Sequence, residues 1–189
     1  MSKKLSGKTL KITESALMIA LSAVLSVFTV VQFPFGGSVT LFSQVPIIIL
    51  SYRYGVKWGL VSGFTLSVLQ LLFGLNNFSY VNGIVAYLVL IFVDYLIPFT
   101  LLGLGGIFRN RFKGQVSALA LGSVLVSCIR FVCHFVSGVT IWKSWAPSSA
   151  TKAIVIYSLT YNGSYMLPEL VITVIGACLI GRFVDLKNQ

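Results

Sequence analysis

The stretch QVSALALGSVLVSCIRFVCHFVSGV, residues 115–139, decides the fold class. A helix that crosses a bilayer needs about 20 mostly apolar residues, and this stretch is longer while carrying one formal charge, on Arg130. It also holds His134, the one histidine of the chain. We predict a membrane-spanning helix here. Ionisable groups are costly at membrane depth, so both side chains are candidates for a functional role.

The rest of the chain has the same character. Of its 189 residues, 57% are hydrophobic and only 10% are charged, and the mean hydropathy is +0.94, which is typical of a chain surrounded by lipid. We predict an all-α, polytopic membrane protein of six transmembrane helices in a single domain, residues 1–189. The predicted spans cover about 12–31, 40–54, 56–73, 80–108, 115–139 and 153–184.

Basic residues fall in alternate gaps between the predicted spans, at Lys3, Lys4, Lys8, Lys11, Arg53, Lys57, Arg109, Arg111, Lys113, Arg182 and Lys187. The intervening gaps hold only Lys143 and Lys152. By the positive-inside rule both termini are cytoplasmic: a basic N-terminal segment at 1–11, the six-helix bundle at 12–184 and a tail at 185–189. The net charge of +10 therefore indicates a multi-pass protein of the bacterial cytoplasmic membrane, surrounded by lipid, and no nucleic-acid partner.

The start of the chain, basic and then apolar, could also be a cleaved signal peptide. We favour an uncleaved first helix because the apolar stretch 16–31 is long for a signal peptide and lacks a small-x-small cleavage site. Prolines interrupt three spans. Pro46 suggests a tilted, kinked or partly non-helical second span, Pro98 a kink in the fourth, and Pro168 lies near the middle of the sixth. No internal repeat is visible, which favours one subunit of a larger transporter.

Three charged side chains lie well away from the ends of the predicted spans: Asp94, Arg130 and Glu169. Because buried charges normally have partners, an ion pair between Asp94 and Arg130 is one structural explanation. Glu169 competes for the same Arg130, and its depth makes that pairing the more attractive one. Asp94 would then remain available for a cationic ligand.

Aromatic and hydroxyl-bearing side chains follow His134 along the chain. Trp142 and Trp145 lie in the next loop, and the sixth span opens with YSLTYNGSY, residues 157–165. A lone histidine on an apolar helix is often a hydrogen-bonded core residue, but this many polar groups at the mouth of a span predicts a polar cavity. Indole and phenol faces bind organic cations, and Asp94 supplies the counter-charge. The sequence therefore predicts a site for a small aromatic cation.

Other chemistry has no support in the sequence. There is no phosphate-binding glycine loop and no HExxH pair, and Cys128, Cys133 and Cys178 all lie in apolar segments, where they pack as small hydrophobic residues. We expect no ATPase activity, no metal and no cofactor in this chain, and hence a transport subunit that is not itself an enzyme.

Four stretches carry a resemblance to the thiamine-specific S components of energy-coupling factor transporters. They are the small-residue first helix ALMIA (16–20), the pair Asp94-Tyr95, the stretch RFVCHFVSGVTIW (130–142) and the stretch YSLTYNGSYMLPE (157–169). The resemblance extends over nearly the whole chain, and the last two stretches are the specific ones. It implies a six-helix subunit that binds the vitamin near the outer face and docks on one transmembrane coupling protein and two ATPase subunits.

The resemblance also implies roles for individual residues. The ligand pocket corresponds here to Asp94, Tyr95, His134, Trp142, Tyr157 and Asn162, and Ala16 and Ala20 take the role of the coupling-protein contact. Two departures concern the ligand. The family pair is typically Glu-Tyr, so Asp94 is one methylene shorter. The aromatic lid of the first outer loop is usually Trp, whereas this loop offers Phe33 and Phe35.

Three alternatives stay open at this point. An S component for another vitamin or a thiamine precursor is the nearest. An intramembrane serine hydrolase with Ser164 as nucleophile and His134 as base belongs to a different class, although no Gly-x-Ser-x-Gly turn is present. The third is a structural membrane subunit that binds no ligand.

Overall fold

A computed structural model describes residues 7–186 of the chain. Its six main helices are α1 (Gly7–Val27), α2 (Val45–Tyr54), α3 (Val56–Phe73), α4 (Ile84–Gly106), α5 (Gln115–Thr140) and α6 (Thr151–Phe183). Five of these are long and apolar enough to cross a membrane, and α2 is apolar but short. The predicted six-helix membrane fold is confirmed, with α2 as its one short helix.

The observed bounds of α1 differ from the prediction. The helix starts at Gly7, before the predicted residue 12, and ends at Val27. The next residues form a two-stranded antiparallel hairpin, β1 (Thr29–Gln32) and β2 (Ser38–Thr40), in which Val31 pairs with Val39. The prediction of helix to residue 31 is therefore wrong at its end. The β-branched side chains at 29–31 suit an extended strand once a partner strand is available.

The hairpin loop, residues 33–37, contains a short 3₁₀ turn at Pro34–Gly36. Phe35 has φ 64° and Gly36 has φ 92°, so both lie in the left-handed region. This conformation is natural for glycine but unfavourable for a bulky aromatic residue. The conformation of Phe35 must therefore be held by contacts outside the loop.

The second predicted span starts later than expected. Residues up to Thr40 belong to the hairpin, and Pro46 lies in the first turn of α2, where its missing amide hydrogen costs nothing. It causes no kink. The short helix is tolerated because protein surrounds it: Ile47, Ile48 and Tyr52 are each fully buried.

Helix α4 is irregular in its middle. A π-helical stretch, Leu90–Leu96, precedes Pro98, and a 3₁₀ stretch, Leu101–Gly106, ends the span. Pro98 has no amide hydrogen for the carbonyl oxygen of Asp94 four residues earlier, so a regular α-helical ladder is interrupted at that point. The neighbours Asp94 and Tyr95 are both buried within the π-helical stretch. Such stretches are frequent at functional sites.

Close packing of α4 on its neighbours depends on glycine. A side chain at Gly122 of α5 would meet the carbonyl oxygen of Gly105, and one at Gly103 would meet the backbone at Gly59 of α3. In lipid, helices gain no hydrophobic free energy by associating, so they depend on close van der Waals packing, which small residues allow. Helices α5 and α6 pack side by side along their length, and α6 continues through Pro168 without ending.

Three described basic residues from different elements, Lys11, Arg53 and Arg109, lie together at one end of the bundle. Arg53 forms an ion pair with Glu14 at 3.2 Å and accepts a hydrogen bond on its carbonyl oxygen from Arg109 at 2.8 Å. Lys11 lies 4.0 Å over the ring of Trp58. The positive-inside rule predicts that this end faces the cytoplasm. The predicted cytoplasmic residues Lys3, Lys4 and Lys187 lie outside the described residues.

Candidate functional site

A cavity of about 870 Å³ lies at the end of the bundle opposite these basic connections. Its walls come from α1, α3, α4, α5 and α6. The rim is formed by the hairpin loop, the 3₁₀ turn Leu75–Tyr80 before α4 and the start of the loop after α5. This volume is in the usual range for a small-molecule site.

Asp94 is the centre of a hydrogen-bonded cluster in the cavity wall. Its Oδ2 accepts a hydrogen bond from Ser137 Oγ at 2.6 Å and one from Trp142 Nε1 at 3.0 Å, and its Oδ1 lies 3.1 Å from His134 Nδ1. Hydrogen bonds to a carboxylate are about twice as strong as neutral ones. Three of the predicted pocket residues, Asp94, His134 and Trp142, are thus brought into direct contact.

The local sequence explains this convergence. His134 and Ser137 are three residues apart in α5 and therefore lie on the same face of the helix. Trp142 follows just beyond the end of α5 at Thr140, so its indole can turn back toward Asp94. Because an ionised carboxylate only accepts, His134 Nδ1 carries the hydrogen, and a neutral imidazole then presents Nε2 as an acceptor.

Tyr95 connects α4 to the preceding loop and lines the cavity. Its hydroxyl accepts a hydrogen bond from Asn77 Nδ2 at 2.7 Å and donates to the carbonyl oxygen of Gly74 at 3.4 Å. Its phenol group therefore connects α4 to the rim of the cavity through these two hydrogen bonds.

A buried ion pair lies deeper in the cavity. Arg130 Nη1 is 3.3 Å from Glu169 Oε2, and both side chains are about 5% exposed. Glu169 Oε1 also accepts a hydrogen bond from Thr40 Oγ1 of β2 at 2.7 Å. Arg130 therefore pairs with Glu169, as the sequence favoured, and the alternative pair with Asp94 is not formed.

Tyr157 and Asn162 also line the cavity, but their polar groups differ in availability. The Asn162 amide nitrogen donates to the Ser158 carbonyl at 2.9 Å and to the His134 carbonyl at 3.3 Å, and its oxygen accepts from Tyr165 at 2.8 Å. Asn162 thus ties α6 to α5 beside His134. Tyr157 stacks on Tyr161 with ring centroids 5.9 Å apart.

The hairpin loop places its two aromatic residues over the cavity rim. Phe35 contacts Trp145 at 4.3 Å between ring centroids, Tyr80 at 5.4 Å and Trp142 at 5.9 Å. Phe33 packs on Tyr165 at 5.9 Å. An aromatic cover therefore exists in the position where the resemblance places a lid.

Several residues that support the site were not singled out from the sequence. Ser137, Asn77 and Thr40 each hold a polar group of the site in place. Ser137 could have been found from its helical spacing to His134, but the other two depend on tertiary contacts. Ser164, the hydrolase candidate, is exposed, donates to the carbonyl oxygen of Tyr161 and is not among the cavity-lining residues. A Ser164–His134 catalytic pair is therefore wrong.

The charge of the cavity suits a cation. Its charged lining residues within the described part of the chain are Asp94, Glu169 and Arg130, which leaves a formal charge of −1 with His134 neutral. Arg130 and Glu169 balance each other, so the excess lies at Asp94. A carboxylate surrounded by aromatic faces is an arrangement that binds an organic cation.

A second depression lies on the surface of the bundle, between α1 and α3. This α1–α3 groove has a volume of about 440 Å³ and includes Ala16, Ala20 and Trp58. Both alanines are exposed, so they are free to contact another helix in the membrane.

Comparisons with known proteins agree with one another. A family model described as thiamine transporter protein (Thia_YuaJ) matches residues 12–187. The thiamine transporter ThiT of Bacillus subtilis is 30% identical over 186 residues, which cover 93% of this chain and 92% of that protein. A solved structure of ThiT from Listeria monocytogenes shares the fold, with a TM-score of 0.75 and 18% identity over 95% of this chain and 97% of that one. On the family model and the Bacillus relative, the chain belongs to the thiamine transporter protein family.

Proposed function

We propose that this chain captures thiamine at the outer face of the membrane as the S component of an energy-coupling factor importer. The single observation that carries this is the Asp94 carboxylate, held by three donors in an aromatic-lined cavity with a formal charge of −1. Thiamine is a monocation with two flat heterocycles, so its charge and its ring faces both have complements in the cavity.

Each predicted ligand residue has a role in this proposal. Asp94 balances the thiazolium charge, Trp142 and Phe35 cover ring faces, and His134 and Tyr157 offer polar atoms to ring edges. Cation–aromatic contacts of this kind contribute about 0.5–2 kcal/mol each when desolvated. Tyr95 and Asn162 act at the site mainly by bracing it, since their polar atoms already have protein partners.

The shorter acidic residue has a consequence for the ligand. Because Asp94 is drawn towards Ser137 and Trp142, the ligand meets a carboxylate that lies close to the α5 wall. Space that a glutamate would occupy is left for the ligand or for water. A related vitamin or a thiamine precursor is the alternative ligand, and the binding experiment decides between them.

A ligand panel tests the proposal. Purified protein in detergent is titrated with thiamine, pyridoxine and the free aminopyrimidine precursor. Trp fluorescence is the signal because Trp142 lines the cavity and Trp145 packs on Phe35. We expect saturable binding that is tightest for thiamine and is weakened by Trp142→Phe. The matched control is Trp58→Phe, at the basic end of the bundle. Preference for pyridoxine or for the isolated pyrimidine would reject thiamine as the ligand.

The partners of this subunit belong to the same proposal. We assign the α1–α3 groove, with Ala16 and Ala20, to the transmembrane coupling protein, which in turn binds two ATPase subunits. The groove is mostly apolar, and the small side chains of Ala16 and Ala20 would let a helix of the partner approach closely.

Enlarging those side chains tests the docking face. In vesicles that contain the coupling module, an Ala16→Leu/Ala20→Leu double variant should bind thiamine normally but lose most ATP-dependent uptake. Val171→Leu, on the exposed face of α6, is the control. Unchanged uptake in the double variant would remove the groove from the partner contact.

A further inference from the structure

The hairpin loop is attached to α6 through one side chain. The Gly37 amide donates a hydrogen bond to the Tyr161 phenol oxygen at 3.2 Å, and the Tyr161 hydroxyl donates to the carbonyl oxygen of Pro34. These two backbone groups lie on either side of the loop tip. A single hydroxyl therefore forms hydrogen bonds with a backbone amide on one side of the loop tip and a backbone carbonyl on the other.

The ring of Tyr161 adds contacts to the same loop. It packs edge-on against Phe33 with centroids 6.4 Å apart, and it lies 6.5 Å from the ring of Phe35. On its other side it stacks on Tyr157 and meets Tyr165 edge-on at 5.7 Å. Tyr161 is thus held firmly in α6 by its neighbours while its hydroxyl reaches the loop.

The loop needs such an external restraint. Phe35 lies in the left-handed region, which disfavours a bulky aromatic side chain, and the described backbone hydrogen bond that closes the loop runs from the Phe33 amide to the Gly37 carbonyl at 2.7 Å. The base of the hairpin has its own anchor, because Thr40 of β2 donates to Glu169. Loss of the Tyr161 contacts would therefore free the tip and leave the base attached.

We propose that Tyr161 is a positioning residue that latches the hairpin loop over the occupied cavity and thereby sets how long the ligand stays bound. This inference rests on the proposed function for the ligand, but the latch itself is a property of the protein. Opening requires that both hydrogen bonds of one hydroxyl be given up, and Phe35 then leaves the aromatic cover formed with Trp142 and Trp145.

Tyr161→Phe removes the hydroxyl and keeps the ring packing. Two hydrogen bonds of ordinary net strength correspond to about a 5- to 150-fold change in an equilibrium or rate constant. We expect labelled thiamine to dissociate faster by that factor in a chase with unlabelled thiamine.

Hydrogen–deuterium exchange in the ligand-free protein separates the latch from a direct contact between Tyr161 and the ligand, because a contact with the ligand alone would not change the exchange of the empty protein. Peptides that contain residues 33–38 should exchange faster in Tyr161→Phe than in the wild type, because the Gly37 amide loses its acceptor. Tyr87→Phe is the matched control, since Tyr87 packs on Phe78 and does not line the cavity.

The dissociation and exchange measurements together distinguish a failure of the latch from a failure of the ligand assignment. Faster exchange together with faster release supports the latch. Unchanged exchange of residues 33–38 in Tyr161→Phe overturns it, whatever the ligand does. An absence of thiamine binding in the wild type would reject thiamine as the ligand, and the exchange result would still decide whether Tyr161 holds the loop.

Discussion

The contact between Asp94 and His134 predicts which edge of the ligand this site recognises. With Nδ1 donating to Asp94 at 3.1 Å, a neutral His134 offers Nε2 as an acceptor, which suits the amino group of the thiamine pyrimidine. Oxythiamine carries a carbonyl in place of that amino group and keeps the same thiazolium. The wild-type protein should therefore prefer thiamine to oxythiamine.

Asp94→Asn should reverse this preference. Ser137 and Trp142 both donate to the Oδ2 position, so the amide oxygen of the asparagine must take that position. Its amino group then faces His134 Nδ1 and donates to it, which moves the imidazole hydrogen to Nε2. The ring now presents a donor to the cavity, and the carbonyl of oxythiamine becomes the matching group.

The size of the effect follows from the cost of a mismatched polar contact. A buried donor or acceptor left unsatisfied costs about 1–3 kcal/mol of binding free energy. In the wild type oxythiamine is the mismatched ligand, and in Asp94→Asn thiamine is, so this cost enters the comparison twice. The ratio of the two dissociation constants should therefore shift by about 2–6 kcal/mol, or about 30-fold or more. Loss of the Asp94 charge weakens both ligands alike and cancels in the ratio.

The assay is calorimetric titration of both ligands into both proteins in the same buffer. Ser137→Ala is the control, because it removes one donor to Asp94 and leaves the histidine contact in place. A ratio that is the same in the wild type and in Asp94→Asn would refute the assignment of the amino edge to His134.

Three further predictions concern stability and the aromatic cover. Glu169→Gln leaves the buried Arg130 without its counter-charge and should lower the free energy of unfolding by about 3–5 kcal/mol, seen as a melting temperature about 6–20 °C lower in detergent. Arg130→Met/Glu169→Gln should recover part of this loss. An unchanged melting temperature in the single variant would contradict the buried pair. Gly122→Ala should lower the melting temperature because its methyl group meets the Gly105 carbonyl, and a neutral effect would contradict that close approach. Phe35→Trp should tighten thiamine binding by about two- to tenfold, since indole is the better cation–π partner, and weaker binding would show that the cavity rim has no room for it.

Sequence reasoning succeeded where the signal is local. Hydropathy located α3 within its observed bounds and α5 to within one residue, because a span in lipid is defined by its own side chains. The family match and the apolar helices confirm a multi-pass membrane protein of a transporter family rather than an enzyme. The charged and aromatic residues of the predicted spans and loops also led us to place Asp94, His134 and Trp142 in one ligand pocket, and the structure brings these three side chains into contact.

The errors arose where structure depends on distant partners. Residues 29–31 read as the end of an apolar helix, and only pairing with 38–40 makes them a strand. The latch formed by Tyr161 likewise joins residues far apart in sequence, so no spacing rule could predict it. Ser137 is the exception, because its place one turn from His134 was visible in the sequence.

The central claim is that the Asp94 carboxylate balances the charge of bound thiamine. Calorimetric titration of thiamine into the wild type and Asp94→Asn tests this most directly, with thermal unfolding of both proteins as the check on folding. We expect one thiamine per wild-type protein and binding weakened in the variant by about 30-fold or more, the effect of removing one partner of a desolvated charge pair. Equal affinity in two equally folded proteins would contradict the account.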